Sequence, residues 1–210
     1  MTDTTDFKKS LDAYRAEKGR FRILEIPDLQ YLMIDGHGDP NVSPAFAESI
    51  ETLYPVAYTL KFASKQDLGR NYVVPPLEGL WWAQQMDAFT VARDLSQWDW
   101  TLMIMVPEWI DRERFTAAVE RVEARKKPAR LGDLRLESLS EGRCVQTLHV
   151  GSFDDEAGVL ERMHHEFIPD HGLSLVGKHH EIYLSDPRKA APEKQRTILR
   201  QPVAVARSDA

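Results

Sequence analysis

The 210-residue sequence predicts an α+β domain made by tandem duplication of a strand–helix–strand–strand unit, with antiparallel sheets about a pseudo-twofold axis forming a central ligand groove. Three observations predict it. One order of elements is legible twice, over residues 21–110 and again over 131–205. In each copy the first hairpin ends on a glycine, Gly36 and Gly151. In each copy the strand after the helix carries a glutamate near its start, Glu78 and Glu181. The glycine-to-glutamate separation is 42 residues in the first copy and 30 in the second. That difference is about the size of a polar insertion at 63–74.

The elements follow in order. Phe7, Leu11 and Tyr14 fall at helical spacing, so 1–20 predicts a short amphipathic helix stopping near Gly19. The β-prone runs 21–26 and 29–34 flank Pro27-Asp28 and predict a hairpin. Pro44 suits a first helical turn, and Phe46, Ile50, Leu53 and Val56 make one apolar stripe. Strands at 77–82 and 100–106 close the first copy. A connecting helix over 111–130, with Phe115, Ala118, Val119 and Val122 on one side, ends at Pro128. In the second copy a hairpin spans 134–139 and 143–150 around Ser-Glu-Gly. Asp154, Asp155 and Glu156 start a helix, where acids suit the positive end of the dipole. Strands at 180–184 and 197–203 finish it.

Composition narrows the function classes. Apolar residues make up 42% of the chain, enough for a core. A net charge of −6 argues against nucleic acid as partner, because phosphate backbones call for clustered Lys and Arg. The basic run Arg121 to Arg130 reads as a solvated helix end. The lone cysteine, Cys144, permits no internal disulfide and points to a cytoplasmic location. No leader-like segment and no apolar run of about 20 residues is present, so no membrane partner is expected.

The stretch Gly177-Lys-His-His-Glu-Ile-Tyr-Leu-Ser-Asp-Pro-Arg188, followed by Thr197-Ile-Leu-Arg-Gln-Pro-Val203, resembles the GyrI-like family. Members that serve as ligand-binding domains of multidrug regulators hold flat, often cationic aromatics on a buried glutamate. The position here that matches is Glu181. Gly38-Asp-Pro-Asn41, Pro76-Leu-Glu-Gly-Leu-Trp-Trp82 and Pro107-Glu-Trp109 resemble a stand-alone subgroup that includes cyclopropanoid cyclohydrolases. The resemblance implies a cofactor-free hydrolase serving detoxification, with a small hydrophobic or aromatic ligand, cations included. No room for a helix-turn-helix precedes the first copy, so no direct transcriptional role is expected. A monomer or a homodimer fits.

The residues suggest a chemistry of their own. A glutamate among Trp81, Trp82, Tyr183 and Tyr72 is poorly solvated, which pushes a carboxylate toward the range useful for proton transfer. With Glu78 and Glu181 on opposite sides of one site, one activates water. The other, or Tyr183, polarises the substrate carbonyl. Strand alternation puts Trp82 on the face of Glu78 and Tyr183 on that of Glu181, and leaves Trp81 on the other face unless Gly79 marks a bulge. His149 either donates to a ligand or satisfies a buried carbonyl, and the second is favoured. Gly172 to His179 nearly spells a phosphate loop but lacks the final Ser or Thr, and reads as a turn. The histidines 164, 165, 171, 179 and 180 carry no HExxH, so no metal is expected. Two rival functions remain: a non-catalytic module that sequesters lipophilic or cationic aromatics, and a protein-binding inhibitor of the gyrase-inhibitor type.

Overall fold

The computed structural model describes residues 4–83, 94–186 and 189–206. Two compact units form, Met1–Asp12 with Leu29–Leu139 and Ala13–Asp28 with Ser140–Ala210. The Pro187-Arg188 end of the motif at 177–188 lies outside the described residues.

The first unit is built on four antiparallel strands: β3 (Leu29–His37), β5 (Leu77–Ala83), β6 (Trp98–Val106) and β7 (Arg135–Leu139). Their order is β5–β6–β3–β7. Apolar residues alternate with polar or sulfur-bearing ones along β3 and β6, so each presents one face to a helix. That helix is α2 (Pro44–Leu68), which buries Leu53, Val56, Ala57 and Leu60. Its Phe46 sits 6.1 Å from the Trp81 ring and 5.2 Å from that of Trp100. The indole of Trp100 fills the space where a Cβ on Gly36 would stand, so the glycine is required by close approach. Helix α2 runs through Ala63, where a polar insertion is expected from sequence, and stops only at Gly69, left-handed at φ 65°. Helix α3 (Arg112–Arg125) has Asp111 as its cap, accepting from the Arg114 amide at 2.9 Å, and buries Phe115, Ala118 and Val122.

Helix α1 is one turn, Phe7–Ser10, not an amphipathic helix reaching Tyr14. Leu11 is already extended, and the chain leaves this unit at Asp12, so Phe7 and Tyr14 cannot share one stripe. The pair β1 (Thr4–Thr5) and β4 (Asn71–Tyr72) is parallel and was not legible in sequence.

The second unit repeats the plan with β2 (Arg22–Ile26), β8 (Gly142–Val150), β10 (His179–Tyr183) and β11 (Arg196–Val205), in the order β10–β11–β8–β2. Strand β9 (Leu173–Leu175) extends the pairing at the far end of β11, so part of the segment read as a turn is a strand. The helical stretch comprises Ala157–Arg162, a π turn Met163–Phe167, and Ile168–Asp170. Met163 and Ile168 pack with Val145, Leu173, Leu199 and Val203 into a core cluster.

The architecture is α+β, as the order of elements predicts. The two expected hairpins do not form. Strand β3 has β6 on one edge and β7 on the other, which leaves no edge for β2. Strand β8 likewise lies between β11 and β2. The turns at Pro27-Asp28 and after Leu139 therefore carry the chain from one unit to the other. Turn residues report that a chain changes direction, and pairing is decided by which edges burial leaves open. Among the described residues no helix is long and apolar enough to cross a membrane.

Candidate functional site

Strand β10 puts His179, Glu181 and Tyr183 on one face, two residues apart, while His180 and Ile182 turn to the other. Leu199 pairs directly with Glu181 and belongs to the cluster with Met163 and Ile168. The glutamate thus lies on the face that the helical stretch covers, and only 9% of it is exposed. A carboxylate there is costly unless its oxygens are served. The Tyr183 hydroxyl donates to Oε2 at 2.8 Å, and His179 Nε2 stands 3.6 Å from Oε1. The edge of Phe153 meets Tyr183 at 5.8 Å. His164, on the π turn, meets the His179 ring edge to face at 6.1 Å. Burial, then the neighbouring His179 and His165, pull His164 down to about 3, so its ring is neutral. Its Nε2 has no hydrogen-bond partner among the described residues. π turns inside helices are frequent at functional sites.

His149 shares this face, since it pairs with Thr197, which in turn pairs with Tyr183. Its Nε2 lies 2.9 Å from the Ser152 carbonyl, which that nitrogen's N–H serves.

The opposite face of the same sheet holds a closed ionic network. Arg200, 1% exposed, donates through Nη1 to Glu141 at 2.7 Å, through Nε to Gln146 at 3.0 Å and through Nη2 to the Ala13 carbonyl at 2.6 Å. His180 Nδ1 takes the other Glu141 oxygen at 2.9 Å. Burial pushes Glu141 up, but the adjacent His180 and Arg200 outweigh it and hold the carboxyl at about 2. Cys144 lies beside this network. Burial first, then the charge of Glu141, pushes its thiol up to about 12, which rules out a thiolate nucleophile.

In the first unit Glu78 is fully buried, and the Tyr31 hydroxyl donates to its Oε2 at 3.4 Å. The β5–β6 register runs unbroken from Leu77 opposite Ile104 to Ala83 opposite Trp98, so Gly79 marks no bulge. Trp82 is half-buried on the face of Glu78, opposite Asp99, whose carboxylate meets His37 at 2.8 Å. Trp81 lies on the other face, against Phe46 and, at 5.7 Å, Trp98. Tyr72 is in neither place. It packs with Phe7 and Trp109 at 6.4 and 6.2 Å, and burial raises its hydroxyl above the ordinary range.

The expected equivalence of Glu78 and Glu181 fails by one residue. Counting pairs outward from Gly36 and from Gly151, the partner of Leu77 is Ile104, and Leu199 occupies the matching place on β11. Leu77 therefore corresponds to Glu181, and Glu78 to Ile182. A one-residue offset turns a side chain to the opposite face. Glu181 looks toward the helical side of its sheet and Glu78 away from α2. Sequence reading missed Tyr31 as the partner of Glu78, and it weighed His179 only as a metal ligand. Counting two residues back from Glu181 along the strand finds His179; nothing local finds Tyr31. Among the described residues no three His, Cys, Asp or Glu side chains gather as a metal site.

A family model for a GyrI-like small molecule binding domain matches residues 20–204. An uncharacterized conserved protein from Listeria innocua is 37% identical with a TM-score of 0.86, over 95% of this chain and 99% of its own. Two structures described as a hydrolase from the same organism are 36% identical. One has a TM-score of 0.82 over 95% of this chain and 99% of its own, the other 0.85 over 96% and 100%. No curated protein matches.

Proposed function

The chain belongs to the GyrI-like small-molecule-binding family, and from that premise we propose a cofactor-free hydrolase of cyclopropanoid and similar electrophilic aromatic compounds, serving detoxification. The observation that carries it is the Glu181 carboxylate, all but closed off from water, with the Tyr183 hydroxyl donating to it at 2.8 Å. The two Listeria innocua structures described as hydrolases, at 36% identity, favour an enzyme over a passive carrier.

Glu181 removes a proton from water. The hydroxyl oxygen bonds to a cyclopropane carbon, and the strained carbon–carbon bond to the spiro centre breaks. Its electron pair passes through the dienone to the carbonyl oxygen, which becomes a phenolate and takes up the proton from Glu181. The product is the substrate plus one water. Ring strain supplies much of the driving force, so a positioned base contributing about 10²–10⁴-fold is sufficient help. Tyr183 holds Glu181 and offers a hydroxyl to the carbonyl oxygen as charge develops there. Trp81 and Tyr72 are committed to aromatic clusters. Glu78 is the second carboxylate, and its burial and Tyr31 contact suit it less to meeting water.

Purified protein is expected to convert a spirocyclopropyl-dienone alkylator to a product one water heavier, read by absorbance and mass. Glu181→Gln is expected to bind the compound without converting it. Quenching of tryptophan fluorescence by the wild type with no product formed rejects the hydrolase and leaves a sequestering module.

A further inference from the structure

The adjacent histidines of β10 serve two different carboxylates on opposite faces of one sheet. His180 turns to the face of Arg200 and meets Glu141 at 2.9 Å. His179 turns to the other face, 2% exposed in its side chain, with Nε2 3.6 Å from Glu181 Oε1. Tyr183 already occupies Oε2 of the same carboxylate. Alternation along the strand places these two groups at positions −2 and +2 from Glu181, one near each oxygen. Tyr183 is hydrogen-bonded to its oxygen, while His179 stands within ion-pair distance of the other and just beyond hydrogen-bond length.

We infer that His179 is the positioning residue of Glu181, its Nε2–H directed at Oε1, with His164 packed behind the ring to hold it in that orientation. The kinetic consequence rests on the hydrolase reading; the geometry does not. On the same face of the sheet as His179 stand Glu181 and Tyr183 on its own strand and His149 on β8. The helical stretch adds His164 and Glu156, both buried, with His165 and Glu166 exposed. His164 is held neutral, so it places no competing positive charge behind His179. A polar ring nitrogen buried on a π turn, with no hydrogen-bond partner among the described residues, is an expensive choice for a residue that only fills space.

The first test needs no turnover. Ring ¹⁵N NMR of the full-length wild type is expected to show His179 Nε2 carrying a proton, with a signal that moves in Glu181→Ala. A bare Nε2, or a signal that ignores the loss of Glu181, overturns the inference. The second test is kinetic. His179→Phe, with a wild-type circular dichroism spectrum, is expected to lower kcat about 10–100-fold at nearly constant KM, since a small misplacement of a reacting group costs that much. His179→Gln, whose amide N–H reaches the same oxygen, is expected to restore most of it. Wild-type kcat in His179→Phe overturns the inference. If His179→Phe does not fold, the wild-type NMR result decides. A protonated Nε2 coupled to Glu181 in a protein without turnover supports the inference and rejects the hydrolase.

Discussion

The two units share a strand order and differ in where they put a carboxylate. In the first, strand β5 turns Glu78 away from α2, closes it off completely and gives it Tyr31, a donor from two strands away. In the second, strand β10 turns Glu181 toward the helical stretch, leaves it 9% exposed and serves it from its own strand. The side facing the helix is aromatic and dry in the first unit, with Phe46, Trp81 and Trp100. In the second it carries His149, His164, His179, Glu181 and Tyr183 beside the cluster of Val145, Met163, Ile168, Leu173, Leu199 and Val203. One backbone plan therefore supports an aromatic packed face in one unit and a polar, titratable face in the other. A one-residue shift in which position is acidic is enough to separate the two.

The largest expected effect breaks the symmetry between the glutamates. Glu181→Gln is expected to lower kcat/KM about 10³-fold, the size of a lost acid–base residue, and Glu78→Gln by less than about tenfold. Equal losses in the two variants, measured on the same alkylator, would return them to equivalent roles.

Next in size is the buried ionic network of the second unit. Arg200→Ala leaves Glu141 and His180 buried without their guanidinium, and is expected to destabilise by about 3–5 kcal/mol in chemical denaturation. Acid should attack the same place. Glu141 has its folded carboxyl at about 2 against an ordinary 4.5, so its contribution is full above pH 4.5 and is lost as pH falls through about 2. The linked stability is on the order of 3 kcal/mol. His164 adds loss in the same direction. Its folded value is about 3 and its unfolded value 6.5, so the unfolded chain takes up the proton first as pH falls between them. His164→Phe is expected to flatten the stability profile between pH 6.5 and 3; an unchanged slope would show that the ring is not held neutral.

The glycines give the smallest contrast. Gly36→Ala drives a methyl into the Trp100 indole and is expected to cost about 1–3 kcal/mol, seen as a lower Tm. A methyl on Gly151 meets the His149 ring at 3.1 Å and Asp155 Oδ2 at 3.4 Å, and the backbone φ of 155° strains any side chain there, so Gly151→Ala is also expected to cost about 1–3 kcal/mol, through the backbone more than through packing. A Gly151→Ala protein with wild-type Tm would show that this backbone tolerates a side chain.

Much of this was legible from residues alone. The strands expected at 77–82, 100–106, 143–150 and 197–203 follow from runs of branched and aromatic side chains and form with one or two more residues at their ends, and Asp111 and Pro128 bracket α3. The face relations of Trp81, Trp82 and Tyr183 follow from alternation once a strand is granted. Tyr72 was misplaced as a pocket residue because its neighbours Phe7 and Trp109 are remote in sequence, and no local signal marks their meeting.

Periodicity, composition and turn chemistry are local quantities, so the chain's own order of residues settles which segments extend, which coil and which face of each is apolar. Pairing is not local. That β3 takes β7, and that β2 takes β8, depends on which edges remain open once every apolar face is buried. The register of Glu181 opposite Leu199, and hence its side of the sheet, is settled by the same competition. Two acidic residues that look equivalent along the chain become different groups only when the strands have chosen their partners.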